Sequence, residues 1–306
     1  MAGLADPMTG YRVLFDQPGP RARARIRVFT ILGLVMLTGL FALALWQFGR
    51  NGQLDRSRWA PFLQLGYIRF LADGFVGTII ATALAAVLSF PLGMVLALSR
   101  LSRARALRWV ATAYIELFRG VPLLLLIYAF LLALPRFGIN LPILWKLVVP
   151  IVLVNTAVLA EIFRAGIKAV ERGQFEAAVA VGMREGTAMR VVILPQAIRL
   201  VAPALVTQLV ALLKDSTLGY VVSYPELMKQ GNNLTVYTHL LVQTYLIVAL
   251  IYVIVSFALS QLAVWLERRM GTRVRRNVAG SGGAGTPTPD RSGRIAPAPP
   301  SLARPW

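Results

Sequence analysis

Glu176-Ala177-Ala178-Val179-Ala180-Val181-Gly182, followed after nine further residues by Val192-Ile193-Leu194-Pro195, is the stretch on which the reading of this chain turns. Ala177, Ala178 and Ala180 are strong helix formers and small enough to lie in a tight groove. Gly173 or Gln174 can open a short helix over residues 176–181, and Gly182 can close it in a left-handed cap, a conformation that glycine adopts at little cost. Thr187 is placed to cap a second short helix running to about Leu194, and Pro195 suits the first turn of the element that follows. The stretch therefore predicts two rigid rods between longer elements. An alanine-rich helix with an acid near its start fits two roles equally on this chemistry: docking in a groove on a partner, or packing as a linker on its own bundle.

Apolar runs flank this stretch on both sides, at residues 143–163 and 197–213, and more stand further out, at 28–48, 75–98, 110–134 and 240–266. Most reach or approach the ~20 residues that cross a hydrocarbon core of roughly 30 Å. The chain is 57% hydrophobic and only 15% charged, which a water-exposed shell could hardly sustain. The expected fold is an all-α integral membrane protein with about six transmembrane helices. Pro91, Pro122, Pro150 and Pro203 fall inside spans, where neighbouring helices satisfy the freed carbonyls, and Pro91, Pro122 and Pro203 are expected to mark kinks. A cleaved secretory signal is the rival reading of the first run, but its core would be ~7–15 residues and end in small residues. Trp46, Gln47 and Phe48 suit an interfacial anchor instead.

The formal charge of +19 raises nucleic acid as a partner until the basic residues are located. Arginines and lysines crowd before the first span, between the second and third, between the fourth and fifth, and after the sixth, and the intervening loops are poorer in them. By the positive-inside rule the basic segments are cytoplasmic, both termini included, so most of the charge is accounted for and no nucleic acid is implied. The organisation that follows is a cytoplasmic segment 1–27, a helix at 28–48, an external loop 49–74, a main membrane domain 75–270 with the cytoplasmic loop 171–195, and an unstructured cytoplasmic tail 271–306 rich in Gly, Pro and Ser. With no cysteine and the single His239, neither a thiolate nucleophile nor a metal cluster is expected.

The spaced loop resembles the signature of ABC importer permeases: Glu-Ala-Ala, three residues, Gly, nine residues, a β-branched aliphatic, one residue, Leu-Pro. Glu176, Ala177, Ala178, Gly182, Val192, Leu194 and Pro195 fill every fixed position. Glu116-Leu117-Phe118-Arg119-Gly120-Val121-Pro122, Asn155-Thr156-Ala157-Val158-Leu159-Ala160-Glu161 and Leu213-Lys214-Asp215-Ser216-Thr217-Leu218-Gly219 are similar to motifs of the polar amino-acid importers within that family. At the amino end, Leu14-Phe15-Asp16-Gln17-Pro18 and Asn51-Gly52-Gln53-Leu54 resemble the glutamate-importer permeases of high-GC Gram-positive bacteria. The resemblance implies a five-helix type I ABC importer permease core plus an extra amino-terminal helix, in the cytoplasmic membrane and surrounded by lipid. It implies a loop helix seated on a cytoplasmic ABC ATPase dimer, a second permease subunit in a heterodimer, and an extracytoplasmic substrate-binding lipoprotein. ATP and Mg would be held by the ATPase. This chain carries no Gly-rich phosphate loop of its own, so it is expected to be a transporter subunit with no catalytic, cofactor or metal site. Glutamate is the implied substrate; glutamine, aspartate or a basic amino acid is the alternative.

Polar groups at membrane depth are costly and mark function or pairing. Glu161 has Arg164 one turn away, so a structural ion pair and a translocation role both stand, and Glu116 with Arg119 shows the same spacing. Asn155 suits either contact with the substrate or an interhelical hydrogen bond. Lys214, Asp215 and Thr217 end the fifth span with the charges and hydroxyl an α-amino acid requires, or simply reach water. An ion-coupled secondary transporter would show two related halves, which the sequence lacks, and a membrane enzyme would need clustered catalytic groups.

Overall fold

The structure, a computed structural model, describes residues 19–281; the amino-terminal motif at 14–18 and the tail beyond 281 lie outside the described residues. Its elements are helical. Helix α1 (Pro20–Arg50) has proline in its first turn, where the missing N–H goes unused. Its side chains, from Phe29 and Leu32 to Phe41 and Leu45, are exposed all round, the surface expected of a helix covered by lipid. Arg50 lies over the Trp46 ring at 4.7 Å, which fixes the indole at the helix end.

After two short turns at Arg56–Trp59 and Ala60–Leu63, α2 (Leu65–Arg100) begins ten residues before the apolar run that announced it. Pro91 sits inside α2 without ending it. The third span bends at Pro122 as expected, and more sharply than a kink within one helix: α3 (Arg105–Gly120) and α4 (Leu123–Tyr128), which continues as irregular turns to Phe137, are bent by 97°. Val121 is extended (φ −87°, ψ 124°) because proline at 122 disfavours the helical conformation of the residue before it, and Gly120 supplies little helix propensity to resist. Among the described residues, five helices are long and apolar enough to cross a membrane, six when the bent pair is counted as one span.

Helix α5 (Ile143–Ala169) runs through Pro150 unbroken and leads into the loop helix α6 (Arg172–Ala180). The second rod expected in the loop does not stand alone. The turn α7 (Glu185–Ala188) begins at Arg184, three residues before Thr187, and passes through a wide turn at Met189–Ile193 directly into α8 (Leu194–Asp215). Pro195 cannot donate to the carbonyl four residues back, and the wide turn is where the backbone accommodates that loss. Pro203 likewise lies within α8 and does not end it. A short turn (Ser216–Tyr220), α9 (Leu227–Thr238) and α10 (Leu241–Ser281) complete the order. The expected external segment after the fifth span thus contains a helix, and the last helix runs eleven residues past Met270 because no proline interrupts it.

Two compact units divide these elements. Of the described residues, the first comprises 19–76 with Leu227–Leu250, and the second comprises Gly77–Glu226 with 251–281. In the first, the buried Gln243 side chain donates to the Gln53 carbonyl (2.8 Å), which also receives the Trp59 indole N–H (3.0 Å). In the second, α5 is central. Its Leu147, Val148 and Ile151 pack with Ala81 and Ala85 of α2, Ile127 of α4 and Leu212 of α8, and its Leu159 and Phe163 pack with Ala97. Lipid is as apolar as this core, so association depends on close fit. At Gly93 a Cβ would lie 2.7 Å from Leu159 Cβ, so only glycine lets α2 approach α5 this closely.

Candidate functional site

Three groups of predicted site residues lie in the second unit, on or beside α5 and α8. The loop helix α6 buries Ala178 and turns Phe175 against a cluster formed by Ile167 in the last turn of α5, Val170 just after it, and Ile193 and Ala197 around the start of α8. Gln196 Nε2 donates to Gln174 Oε1 (3.3 Å) and adds a polar tie. Glu176, Ala177, Ala180 and Gly182 are left exposed, with Val179 and Val181, as a surface of small side chains bordered by one carboxylate. Gly182 has φ +87°, its N–H reaches Val179 O (2.9 Å), and Met183 N–H reaches Ala178 O (3.1 Å). Those two bonds satisfy the last carbonyls of α6 and stop it at a fixed point. Of the remaining loop residues, Val192 and Leu194 are half-buried against the same cluster and Pro195 is exposed.

Asn155 and Asp215, 60 positions apart in sequence, are brought together. The Asn155 side chain is 2% exposed; its Nδ2 donates to Asp215 Oδ2 (3.0 Å) and Ile151 O (3.0 Å), and its Oδ1 accepts from Gln208 Nε2. This clasp joins α5 to α8. Gln208 went unremarked in the sequence, although an amide inside the run 197–213 is a signal of the same kind as Asn155. Lys214 and Thr217 do not join the clasp: the Lys214 side chain is exposed, and Thr217 Oγ1 donates to the Lys214 carbonyl (2.7 Å) to close the turn after α8.

Glu161 belongs to a separate constellation. Its predicted helical partner Arg164 donates to Oε2 (3.2 Å), Arg100 from the end of α2 donates to Oε1, and Arg119 from α3 stands 3.6 Å from the same oxygen. Arg100 also reaches Glu116 at 3.1 Å. One carboxylate therefore collects three guanidinium groups from three helices, which is how a charge at this depth becomes tolerable. The ion-pair reading of Glu161 finds its partners here, while the expected i, i+3 pair of Glu116 with Arg119 is not formed. Arg100 and Arg119 could not be assigned to Glu161 from spacing, since the helices that bring them there are joined by loops and a bend.

Residues 89–272 match the family described as the binding-protein-dependent transport system inner membrane component. The glutamate transport system permease protein GluD of Corynebacterium glutamicum is 34% identical over 233 residues, 74% of this chain and 85% of that protein. The probable glutamine ABC transporter permease protein GlnM of Bacillus subtilis is 37% identical over 198 residues, 65% of this chain and 92% of that protein. A crystallised amino acid ABC transporter with histidines superposes with a TM-score of 0.64 at 35% identity, covering 67% of this chain and 96% of that one. The apolar helices and the loop between α5 and α8 are thus those of an established architecture, and this chain belongs to the binding-protein-dependent transport system inner membrane component family, the permease subunits of ABC importers.

Proposed function

We propose that this chain lines the path by which an ABC importer brings glutamate across the cytoplasmic membrane. The observation that supports the substrate is the 34% identity to the glutamate permease GluD over 233 residues, 74% of this chain, which takes in sequence outside the matched family segment. In this reading the basic segments and both termini are cytoplasmic, and α6 seats its exposed alanines and Glu176 in a groove on an ATPase dimer that holds ATP and Mg. A second permease subunit completes the path, and an extracytoplasmic lipoprotein delivers the amino acid. Asp215 and Lys214 offer opposite charges to the α-ammonium and carboxylate groups of the substrate. Asn155 is 2% exposed, so it meets substrate only when its bonds to Asp215 and Gln208 open during the transport cycle.

The greater identity to GlnM favours glutamine as the second reading. Uptake by the chain reconstituted with its receptor, second permease and ATPase decides between them. Glutamate uptake that excess glutamine does not suppress is expected. Uptake of labelled glutamine in preference to glutamate would replace the first assignment, and uptake that proceeds without ATP would remove the ABC reading of the assembly.

A further inference from the structure

The first turn and a half of α3 leaves the bundle exposed: every residue from Arg105 to Val110 is open, with Trp109 73% exposed. At about 100° per residue the helix divides into three arcs. Ala111 and Ile115 form the buried seam. Leu107, Val110 and Leu117 form an exposed aliphatic arc. Arg105, Arg108, Trp109 and Thr112 form the third and line one shallow open cavity. A buried seam, an aliphatic arc and a basic arc edged by an indole make up the layout of a helix lying at a membrane interface, with the indole at headgroup level. The 97° bend after Gly120 frees α3 from following the axis of the segment beyond it.

The charge distribution names the ligand. Three carboxylates near this end of the bundle are engaged by other arginines, Glu185 by Arg103, Glu116 by Arg100, and Glu161 by Arg100, Arg119 and Arg164, while Glu171 and Glu176 form no ion pair among the described residues. Arg105 and Arg108 form no ion pair among the described residues, although they stand one helical turn apart beside an exposed aromatic ring. We infer that Arg105, Arg108 and Trp109 form a binding site for the phosphodiester headgroup of an anionic membrane lipid. The two guanidinium groups donate to the phosphate oxygens, the indole rests at the glycerol level, and Leu107 and Val110 lie along the acyl chains. The site depends on the membrane fold alone and is independent of the substrate and of the ATPase contact proposed above.

Quenching of Trp109 tests it in the full chain reconstituted in nanodiscs, with the Trp109 signal taken as the difference between the native chain and Trp109→Phe. Brominated phosphatidylglycerol in a phosphatidylcholine background should quench that signal more than brominated phosphatidylcholine at the same mole fraction. In Arg105→Gln/Arg108→Gln the preference should disappear while quenching by phosphatidylcholine persists, because the aliphatic arc still holds α3 at the lipid. Each arginine near an anionic surface is worth about fivefold in partition, so the double variant should need on the order of twentyfold more phosphatidylglycerol for equal quenching. Equal quenching by both lipids in the native chain would overturn the site, as would a preference that survives in the double variant. Absence of quenching by either lipid would show that protein covers this face, and would overturn it too.

Discussion

Replacing Glu161 by Gln should destabilise the helical bundle far more than replacing Glu116 by Gln. Glu161 faces Arg164 at 3.2 Å and Arg119 at 3.6 Å and also accepts from Arg100. At an effective dielectric of about 20, one such pair is worth roughly 4–5 kcal/mol of gross attraction, most of it offset by the cost of removing both ions from water. The net worth of a hydrogen bond between charged groups is about 1.5–3 kcal/mol, and a neutral amide in place of the carboxylate would forfeit the charge in two of them. The Glu161 side chain is 25% exposed, so water recovers part of the loss, leaving a cost of about 2–4 kcal/mol. Glu116 is 61% exposed and meets Arg100 alone, the setting in which a pair contributes about 0–1 kcal/mol. Thermal unfolding of the purified chain in nanodiscs should show a drop of several degrees for Glu161→Gln and almost none for Glu116→Gln. In Glu161→Gln/Arg164→Gln the second change should cost much less than Arg164→Gln alone, since Arg164 has by then lost its carboxylate. Equal midpoints for the two single variants would refute the view that Glu161 holds the three arginines.

Asn155→Leu leaves the Asp215 carboxylate and the Gln208 amide without their shared partner, a loss of about 1–3 kcal/mol; uptake should fall steeply while the subunits still co-purify, and unchanged uptake kinetics would remove Asn155 from the path. Gly182→Val places a β-branched side chain at φ +87°, which costs at least ~1–2 kcal/mol, and should release the ATPase on gentle purification without loss of the chain from the membrane. Gly93→Leu drives atoms into Leu159 and should lower the thermal midpoint as overpacking does, by about 1–3 kcal/mol or more. A reporter fused after Met270 should score cytoplasmic and one inserted near Asn232 external; the reverse would invert the orientation assigned from the arginines.

What the sequence disclosed was whatever depends on neighbours along the chain. The apolar runs located the spans, and Gly182 announced its left-handed cap because few other residues accept that conformation. Pro122 announced the bend of the third span but not its size: among the prolines expected to mark kinks only Pro122 follows a glycine and a β-branched residue, Gly120 and Val121, so that three poor helix formers stand in a row and the helix breaks. The second rod of the loop was misplaced because Thr187 has a capping side chain, whereas the helix begins at Arg184 without one and continues into α8. Gln208 was readable as a polar residue within a span. The arrival of Arg100 and Arg119 at Glu161 was not, because it depends on how α2, α3 and α5 pack together.

In a bilayer the burial of leucine gains little over its contact with lipid, so helices are oriented by what lipid cannot supply: hydrogen bonds, charge pairs and backbone approach at small residues. Along α5 these devices occur in sequence. Asn155 binds α8 through Asp215 and Gln208, Leu159 receives α2 at Gly93, Glu161 draws Arg100 and Arg119 from α2 and α3, and Gly166 lets Val201 of α8 close against it. Asn155 and Glu161 lie six residues apart, about 9 Å along the axis and on different faces. The same helix therefore holds α8 by an amide clasp and α2 with α3 by charge. A shift of α8 relative to α5 would strain the clasp at Asn155 before it strained the arginines, which reach Glu161 from α2, α3 and α5 and not from α8, and α6 packs against the end of α5 and the start of α8.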